Sequence, residues 1–238
     1  MASKFKYKRI LLKLSGEVLG GQTESGIDFK FINKLVAEIK SLSKKGLEMA
    51  IVIGGGNFWR YRDFKESNLE RVHSDYLGML ATIINSVALQ DELKAEKVKA
   101  VALSAVSVRK LLEDYSWRKA IDLLDNGEIV ICAGGTGNPF CSTDTAAVLR
   151  AGELACDLIV KATNVDYVYD KDPHKFKNAK PYKTVSYDEV LTNSLGIMDL
   201  GAVAMAKDAQ VPIAIFNLNK PQNLLEIVQG KNVGTIIS

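Results

Sequence analysis

The chain contains few of the residues that build metal centres, disulfide frameworks and hydrolytic triads. Its 238 residues include only two histidines and three cysteines, Cys132, Cys141 and Cys156. The cysteines match neither a zinc-ligand spacing nor the disulfide framework of a secreted protein, and two histidines offer little for a nucleophilic triad or a metal cluster. We expect Cys132 and Cys156, which fall in apolar segments, to be buried, and Cys141 to be exposed.

The chain also lacks a strong charge excess and long hydrophobic runs. Its net charge of +3 is too small to indicate a nucleic-acid or membrane partner. No apolar run approaches the length that spans a bilayer, and Met1–Arg9 contains no apolar stretch like that of a signal peptide. The sequence therefore predicts a cytoplasmic protein with no nucleic-acid partner and no membrane partner.

What is present is an alternation of apolar strands and helical patterns that is typical of an α/β protein. Apolar segments predict strands at Ile10–Leu14, Met49–Ile53, Ala100–Leu103, Ile129–Ala133, Leu158–Ala162, Ile213–Phe216 and Thr235–Ile237. Because these strands are apolar throughout, they favour a mainly parallel sheet covered by helices on both faces. No segment resembles a linker, so we expect one domain over residues 1–238.

Helical patterns lie between the strands. They predict helices beginning at Asp28, near Asp75 and at Ser116, and further helices over Asp199–Ala209 and Asn223–Gln229. The first should bury Ile32, Leu35, Val36, Ile39 and Leu42, and the second Leu77, Leu80, Ile84, Val87 and Leu93. The segment Thr163–Tyr187 is polar and rich in turn residues, which predicts a long loop.

The segment Ala133–Ala147 is the most informative part of the chain. It follows an apolar strand, contains glycines that let the backbone approach a ligand, and turns at Asn138-Pro139. Ser142 and Thr143 can cap the helix that follows, whose free N–H groups attract anions, and Asp144 lies in its first turn. These features indicate a phosphate site, although an ordinary strand-to-helix loop remains the alternative on this segment alone.

Two further junctions have the same design. Lys13 lies in an apolar strand that ends at Ser15-Gly16, and Gly54–Gly56 follow another strand. A lysine in a buried strand is costly unless its ammonium meets an anion; the alternative is an edge strand with Lys13 in solvent. Three glycine junctions at the carboxyl ends of strands indicate a large phosphorylated ligand, because ligands bind at those ends in such sheets.

The motifs exclude several nucleotide-binding classes and match one. The chain has no P-loop, dinucleotide or protein-kinase signature. Lys13–Gly16, Ile53–Asn57, Asp75–Thr82, Gly134–Phe140 and Lys161–Asp166 instead resemble the bacterial uridylate kinases of the amino acid kinase superfamily. The match is in order and nearly end to end, and Thr136–Phe140 together with Gly78–Thr82 is specific to the uridylate branch.

This resemblance implies a three-layer α/β/α fold, a homohexamer, and Mg²⁺-dependent transfer of a phosphoryl group from ATP to UMP in pyrimidine nucleotide biosynthesis. GTP is implied as an activator and UTP as an inhibitor. The acceptor phosphate is already ionised at neutral pH, so the reaction needs positioning and charge neutralisation rather than a general base. Mg²⁺ is expected to be held mainly by nucleotide phosphates, with no protein ligand assigned.

The resemblance also implies roles for individual residues. Those expected to be catalytic are Lys13, Asp144 and Lys161. Those expected to bind ATP are Lys13, Leu14, Ser15, Gly16, Gly56, Arg60, Thr163, Asn164, Tyr169 and Asp172. Those expected to bind UMP are Gly55, Asp75, Thr136, Gly137, Asn138, Pro139, Phe140, Cys141, Ser142 and Thr143.

Two rival functions stay open on the sequence. One is a member of the same superfamily that phosphorylates a carboxylate or a carbamate, for which the Thr136–Phe140 segment would have no purpose. The other is a non-catalytic nucleotide-binding or oxyanion-binding protein of the same fold, against which Lys13 and Asp144 argue.

Overall fold

The computed structural model describes residues 5–21, 25–60, 68–173, 175–218, 220, 222–231 and 233–238. One of the two histidines, His174, lies outside these residues.

A nine-stranded sheet forms the centre of the described chain. Its strands, in chain order, are β1 (Arg9–Leu14), β2 (Glu48–Ile53), β3 (Ala100–Ser104), β4 (Glu113–Asp114), β5 (Ile129–Ala133), β6 (Leu158–Thr163), β9 (Thr184–Val185), β10 (Ile213–Asn217) and β11 (Thr235–Ile237); β7 (Val168–Tyr169) and β8 (Pro181–Tyr182) form a separate hairpin. The spatial order is β4-β3-β5-β2-β1-β6-β10-β11-β9. Every neighbouring pair is parallel except β10 and β11, so the prediction of a mainly parallel sheet is confirmed.

Helices cover both faces of this sheet. They are α1 (Gly16–Gly20), α2 (Phe29–Ser43), α3 (Arg71–Ala95), α4 (Trp117–Asp125), α5 (Thr143–Glu153), α6 (Tyr187–Thr192), α7 (Leu200–Ala209) and α8 (Asn223–Val228). One apolar core joins the sheet to α1, α2, α3 and α8, and a second joins it to α4, α5, α6 and α7. Alternate residues of β1 enter the two cores, since Ile10 and Leu12 face the first and Leu11 the second. The three-layer α/β/α fold is therefore confirmed.

The seven predicted strands all form, with ends that differ by at most a residue or so from those expected. The prediction of one uninterrupted loop over Thr163–Tyr187 is wrong, because β7, β8 and β9 lie within it. Each of these strands has only two residues, which is too short to produce an alternating pattern in the sequence. The predicted burial of Cys132 and Cys156 and the exposure of Cys141 are confirmed.

Helix α3 differs most from expectation. It begins at Arg71 rather than near Asp75, and Leu77, Leu80 and Ile84, which were expected to face inward, are exposed. The buried face instead consists largely of small and polar residues: Ser74, Met79, Ala81, Thr82, Ile83, Asn85, Ser86, Leu89 and Leu93. Leu93 is buried and Val87 packs partly buried against the core, so the prediction fails at Leu77, Leu80 and Ile84. Hydrophobicity misplaced those three because small side chains allow close packing on the sheet, and buried hydroxyl and amide groups are satisfied by hydrogen bonds there.

Candidate functional site

A continuous cleft lies at the carboxyl ends of the central strands β1, β2, β5 and β6. It consists of three adjoining cavities of about 780, 360 and 540 Å³. We call the first the β6-side cavity, because Lys161, Thr163 and Asn164 line it. The third is the α3-side cavity, lined by Asp75 and Thr136 among others, and the central cavity lies between them. Lys13 and Ser15 line both the β6-side and central cavities, and Gly55 and Thr143 line both the central and α3-side cavities.

Two lysines and one carboxylate meet in this cleft. Lys13 on β1 and Lys161 on β6 are partners in the parallel register and point to the same face of the sheet, toward the start of α5. The Lys13 Nζ lies 2.7 Å from Asp144 Oδ1, and the Lys161 Nζ lies 2.8 Å from Asp144 Oδ2. Since β1 lies between β2 and β6 and only 6% of Lys13 is exposed, the edge-strand alternative is wrong.

The electrostatics of this cluster follow from burial and charge. Burial opposes the ionisation of Asp144, but the charges of Lys13 and Lys161 outweigh it and hold the pKa of the carboxyl below its ordinary value. Burial, followed by repulsion from Lys13, lowers the pKa of Lys161, although Asp144 opposes that change. Two ammonium groups and one carboxylate leave a net positive charge beside the cleft, which suits an anionic ligand.

The glycine junctions also have a packing role that sequence reasoning missed. A Cβ atom on Gly16 would lie 2.5 Å from the backbone nitrogen of Gly56 and 2.7 Å from the carbonyl oxygen of Gly54. The loops after β1 and β2 therefore touch through their backbones. Glycine here allows close contact between loops as well as access for a ligand.

A buried pair of asparagines anchors the β2 loop to α3. The Asn57 amide donates to Asn85 Oδ1 at 3.0 Å, and the Asn85 amide donates to Asn57 Oδ1 at 2.8 Å. Asn85 also donates to the carbonyl of Gly54 at 2.8 Å, and Asn57 donates to the carbonyl of Gly26 at 2.7 Å. Both asparagines are buried, and all of these bonds except the one to Gly26 lie out of water. The pair fixes the position of the glycine loop relative to the helix.

The start of α5 is capped as predicted. The Ser142 side chain accepts hydrogen bonds from the backbone N–H groups of Asp144 and Thr145 at 3.0 and 3.3 Å. Two of the N–H groups expected to attract an anion are thus already occupied by the cap. The cap instead fixes the first turn, and that turn positions Asp144 between the two lysines.

Asp75 links α3 to the loop after β5. Its carboxylate accepts two contacts from Arg71 Nε, at 2.8 and 3.0 Å, and a hydrogen bond from the backbone N–H of Phe140 at 2.8 Å. Phe140 is exposed, has a left-handed φ of 63°, and lies with its ring against the Arg71 guanidinium. A left-handed aromatic residue costs conformational energy, so these contacts are what hold the loop in this form.

The cleft brings together most of the residues selected from the sequence. Those lining the β6-side or central cavity are Lys13, Ser15, Gly16, Gly56, Arg60, Lys161, Thr163 and Asn164. Those lining the α3-side cavity are Gly55, Asp75, Thr136, Phe140, Cys141, Ser142 and Thr143. The selected residues that do not line these cavities in the described chain are Leu14, Gly137, Asn138, Pro139, Asp144, Tyr169 and Asp172. Asp144 is connected to the cleft through its ion pairs with Lys13 and Lys161. Leu14 has its side chain fully in the core, and Tyr169 packs edge-on against Tyr167 with ring centroids 6.5 Å apart.

Several lining residues were not selected from the sequence. Asp199 lines the α3-side cavity, and its charge slightly opposes the lowering of the Lys161 pKa by burial and by Lys13. From the sequence, Asp199 marked the start of a helix and lay within the family resemblance, but it received no role in the site. Lys30 and Lys34 line the β6-side cavity from α2. Lysines spaced along an amphipathic helix cannot be distinguished in a sequence from those that merely face solvent.

The described residues contain neither a cluster of metal ligands nor a membrane-spanning helix. No group of three or more His, Cys, Asp or Glu side chains there is arranged to hold a metal ion. No helix in that part of the chain is both long and apolar enough to cross a bilayer.

Comparisons with known proteins agree with the motifs. The profile of the amino acid kinase family matches residues 8–217. The uridylate kinase of Rickettsia bellii is 45% identical over 237 residues, which cover 100% of this chain and 99% of the relative. The solved structure of UMP kinase from Bacillus anthracis has a TM-score of 0.95 at 38% identity, covering 98% of this chain and 96% of the other. That of UMP kinase from Ureaplasma parvum has a TM-score of 0.92 at 35% identity, covering 98% and 99%. The chain therefore belongs to the amino acid kinase family and, within it, to the uridylate kinases.

Proposed function

We propose that this protein transfers the γ-phosphoryl group of ATP to UMP, giving ADP and UDP. The observation that supports this most directly is the position of Lys13, which borders both the β6-side and central cavities and is paired with Asp144. A cation there can contact a phosphoryl group during its transfer along the cleft. The family relationship supports the choice of a nucleoside monophosphate as acceptor.

The chemistry requires little beyond placement of the two nucleotides. The acceptor oxygen of UMP is ionised at neutral pH, so no residue has to remove a proton. Lys13 and Lys161 reduce the repulsion between the two anions and stabilise negative charge on the transferring group. Asp144 orients both ammonium groups and partly offsets the repulsion between them.

The two ends of the cleft suit different nucleotides. ATP would occupy the β6-side and central cavities, with Ser15, Gly16, Gly56 and Arg60 beside its phosphates. Thr163 and Asn164 line the same cavity farther along and would contact adenosine. Tyr169 and Asp172 would reach adenosine only after a rearrangement of their loop, since neither lines the cavity.

UMP would occupy the α3-side cavity. Asp75 would accept hydrogen bonds from the ribose hydroxyls, and residues from Thr136 to Thr143 would surround the phosphate and base. Gly55 and Thr143 line both this cavity and the central one, so the phosphates of the two nucleotides would meet beside them.

Mg²⁺ is proposed to enter with ATP. Mg²⁺ usually keeps several waters and binds through substrate phosphates and one or two carboxylates, rather than in a cage of protein ligands. The cleft fits this mode, because Asp144 is paired with two lysines and the carboxylates of Glu17 and Asp199 line separate cavities rather than a common cage. When bound, the ion neutralises phosphate charge.

A homohexamer is proposed as the assembly, and the outer face of α3 supports self-association. Val72, Tyr76, Leu77, Leu80 and Ile84 form an exposed apolar stripe along that helix. Stripes of this kind on soluble proteins mark contact surfaces. Light scattering should give a mass near six times the chain mass of 26.1 kDa.

GTP activation, UTP inhibition and a cytoplasmic location are proposed on the family relationship alone.

One assay tests the proposed function against its rivals. The purified protein is incubated with ATP and Mg²⁺ and with each of UMP, CMP, dUMP, AMP, acetylglutamate, aspartate and carbamate. UMP should give UDP at the highest rate. Product from a carboxylate or carbamate but not from UMP would identify a different kinase of the superfamily. ATP binding without turnover of any acceptor would identify a non-catalytic nucleotide-binding protein.

A further inference from the structure

Arg150 is a buried arginine on α5 that none of the roles above includes. Only 5% of the residue is exposed. Its Nη1 donates to Glu153 Oε2 at 2.6 Å, and its guanidinium lies 3.8 Å from the centroid of the Tyr115 ring. The Tyr115 hydroxyl donates to the same Glu153 oxygen at 2.7 Å. Burial raises the pKa of Tyr115, so this hydroxyl keeps its proton and remains a donor.

One contact of Arg150 leaves this cluster and reaches the site. Its Nη2 donates to the carbonyl oxygen of Gly135 at 3.3 Å. Gly135 lies in a tight turn closed by a hydrogen bond from the Gly137 N–H to the Gly134 carbonyl at 3.0 Å. The Gly134 N–H is itself held by Thr82 Oγ1 on α3, at 2.9 Å. Both ends of the turn are therefore fixed without Arg150.

The peptide between Gly135 and Thr136 is the central peptide of this turn, and its orientation is what distinguishes one turn type from another. Gly135 has a φ of 60°, whereas Thr136 is not left-handed, which is the pattern of a type II′ turn. In a planar trans peptide, the carbonyl and the following N–H point in opposite directions. With the Gly135 carbonyl directed at Arg150, the Thr136 N–H is directed away from it. Gly135 and Thr136 both line the α3-side cavity.

We propose that Arg150 is a positioning residue for the acceptor phosphate. By holding the Gly135 carbonyl, it fixes the central peptide of the turn, and the Thr136 N–H is thereby presented as a donor to the phosphate in the α3-side cavity. The identity of that phosphate as the one on UMP rests on the proposed function.

The chemistry of the cluster of Arg150, Tyr115 and Glu153 indicates that Arg150 positions the Gly135 carbonyl rather than stabilising the fold. Buried ion pairs contribute little to stability compared with apolar residues of the same volume, so an arginine at this position needs another reason. Arg150 Nε has no acceptor within the described chain, which an arginine present only for stability would not be expected to tolerate. A guanidinium can stack on Tyr115, pair with Glu153 and still direct a donor at a backbone carbonyl, because its donors diverge in one plane.

Steady-state kinetics of variants test the proposal. Arg150→Lys keeps a positive charge for Glu153, and the double variant Arg150→Met with Glu153→Gln leaves the cluster uncharged, so that at least one of them folds. The KM for UMP should rise roughly tenfold or more in each, which corresponds to the loss of one charge-assisted hydrogen bond, while the KM for ATP stays within about twofold. Tyr115→Phe is the matched control: it removes a hydrogen bond of the same cluster without touching Gly135, and should leave both KM values unchanged. Equal rises for UMP and ATP, or the same UMP defect in Tyr115→Phe, would overturn the proposal.

A crystal structure of the Arg150 variant provides a test that does not depend on catalysis. The peptide between Gly135 and Thr136 should be reoriented or present in two conformers. A peptide that keeps its wild-type orientation would overturn the proposal even if the kinetics changed. Failure of the wild-type protein to phosphorylate UMP would instead count against the proposed function, and the peptide orientation would still decide the role of Arg150.

Discussion

Replacing Asp144 with asparagine should destabilise the protein strongly. The substitution keeps the shape of the side chain but removes the charge that lies 2.7 Å from Lys13 and 2.8 Å from Lys161. Both lysines are largely buried, and only 13% of the Asp144 side chain is exposed, so water from the cleft replaces the lost partner only in part. Removing one member of a buried ion pair typically costs about 3–5 kcal/mol. For a chain of this size, that corresponds to a fall in Tm of about 6–20 °C.

Urea denaturation of wild-type and variant protein measures this effect. Asp166→Asn is the matched control, because Asp166 forms an ion pair of the same length, 2.8 Å, with Lys220 at the exposed surface. Exposed ion pairs contribute little to stability, so the urea midpoint of Asp166→Asn should be close to that of the wild type. ATP should stabilise Asp144→Asn more than it stabilises the wild type, because its phosphates supply the negative charge that the two lysines have lost.

The pH dependence of the same measurement follows from the lowered pKa of Asp144. A carboxyl whose pKa is lower in the folded state contributes stability above its unfolded pKa and loses it as the pH falls through the folded value. The difference between wild type and Asp144→Asn should therefore shrink in strong acid. If Asp144→Asn is no less stable than Asp166→Asn at neutral pH, the ion pairs of Asp144 with Lys13 and Lys161 do not stabilise the fold more than an exposed pair does.

Three further predictions concern catalysis. Lys13→Ala should lower kcat by at least ~10² while UMP still binds, because one preorganised cation at the transferring group has about that effect; a folded variant with near-normal kcat would remove Lys13 from the mechanism. Asp75→Ala should raise the KM for UMP roughly tenfold and narrow the preference for UMP over dUMP, while the KM for ATP stays constant. A raised KM for ATP with an unchanged KM for UMP would mean that the two nucleotide sites are exchanged. Burial and Lys13 lower the pKa of Lys161, so this lysine should lose its proton, and kcat/KM should fall, at a pH below the ordinary lysine range. If kcat/KM instead begins to fall only within the ordinary lysine range, the charge of Lys161 is not required for the reaction.

The sequence was sufficient for the parts of the fold that depend on long apolar segments. The strand around Lys13 was predictable because its neighbours are all apolar, and the need for an anion near that lysine followed from the cost of burying its charge. From local pattern, Asp144 was placed only in the first turn of the helix after the glycine loop, and the anion expected near Lys13 was a phosphorylated ligand. The role of Asp144 beside Lys13 was implied by the resemblance to the uridylate kinases.

The parts that failed depend on tertiary contacts. The buried face of α3 was predicted only in part. Asn85 is stabilised there by a hydrogen bond to the carbonyl of Gly54 on a distant loop, and Ser86 by one to the carbonyl of Thr82 one turn earlier in the helix. Arg150 was missed for a similar reason: its partners Tyr115 and Gly135 are brought to it only by the folded sheet.

The reciprocal amide pair of Asn57 and Asn85 has a consequence for how this protein can change in evolution. Each side chain donates to and accepts from the other in a region closed to water, so replacing one leaves a donor and an acceptor of its partner unmatched. The penalty falls mainly on the first substitution, and a second, complementary one relieves it. The two positions are therefore expected to covary as a unit, and an isolated exchange at either should be rarer among viable sequences than a paired one.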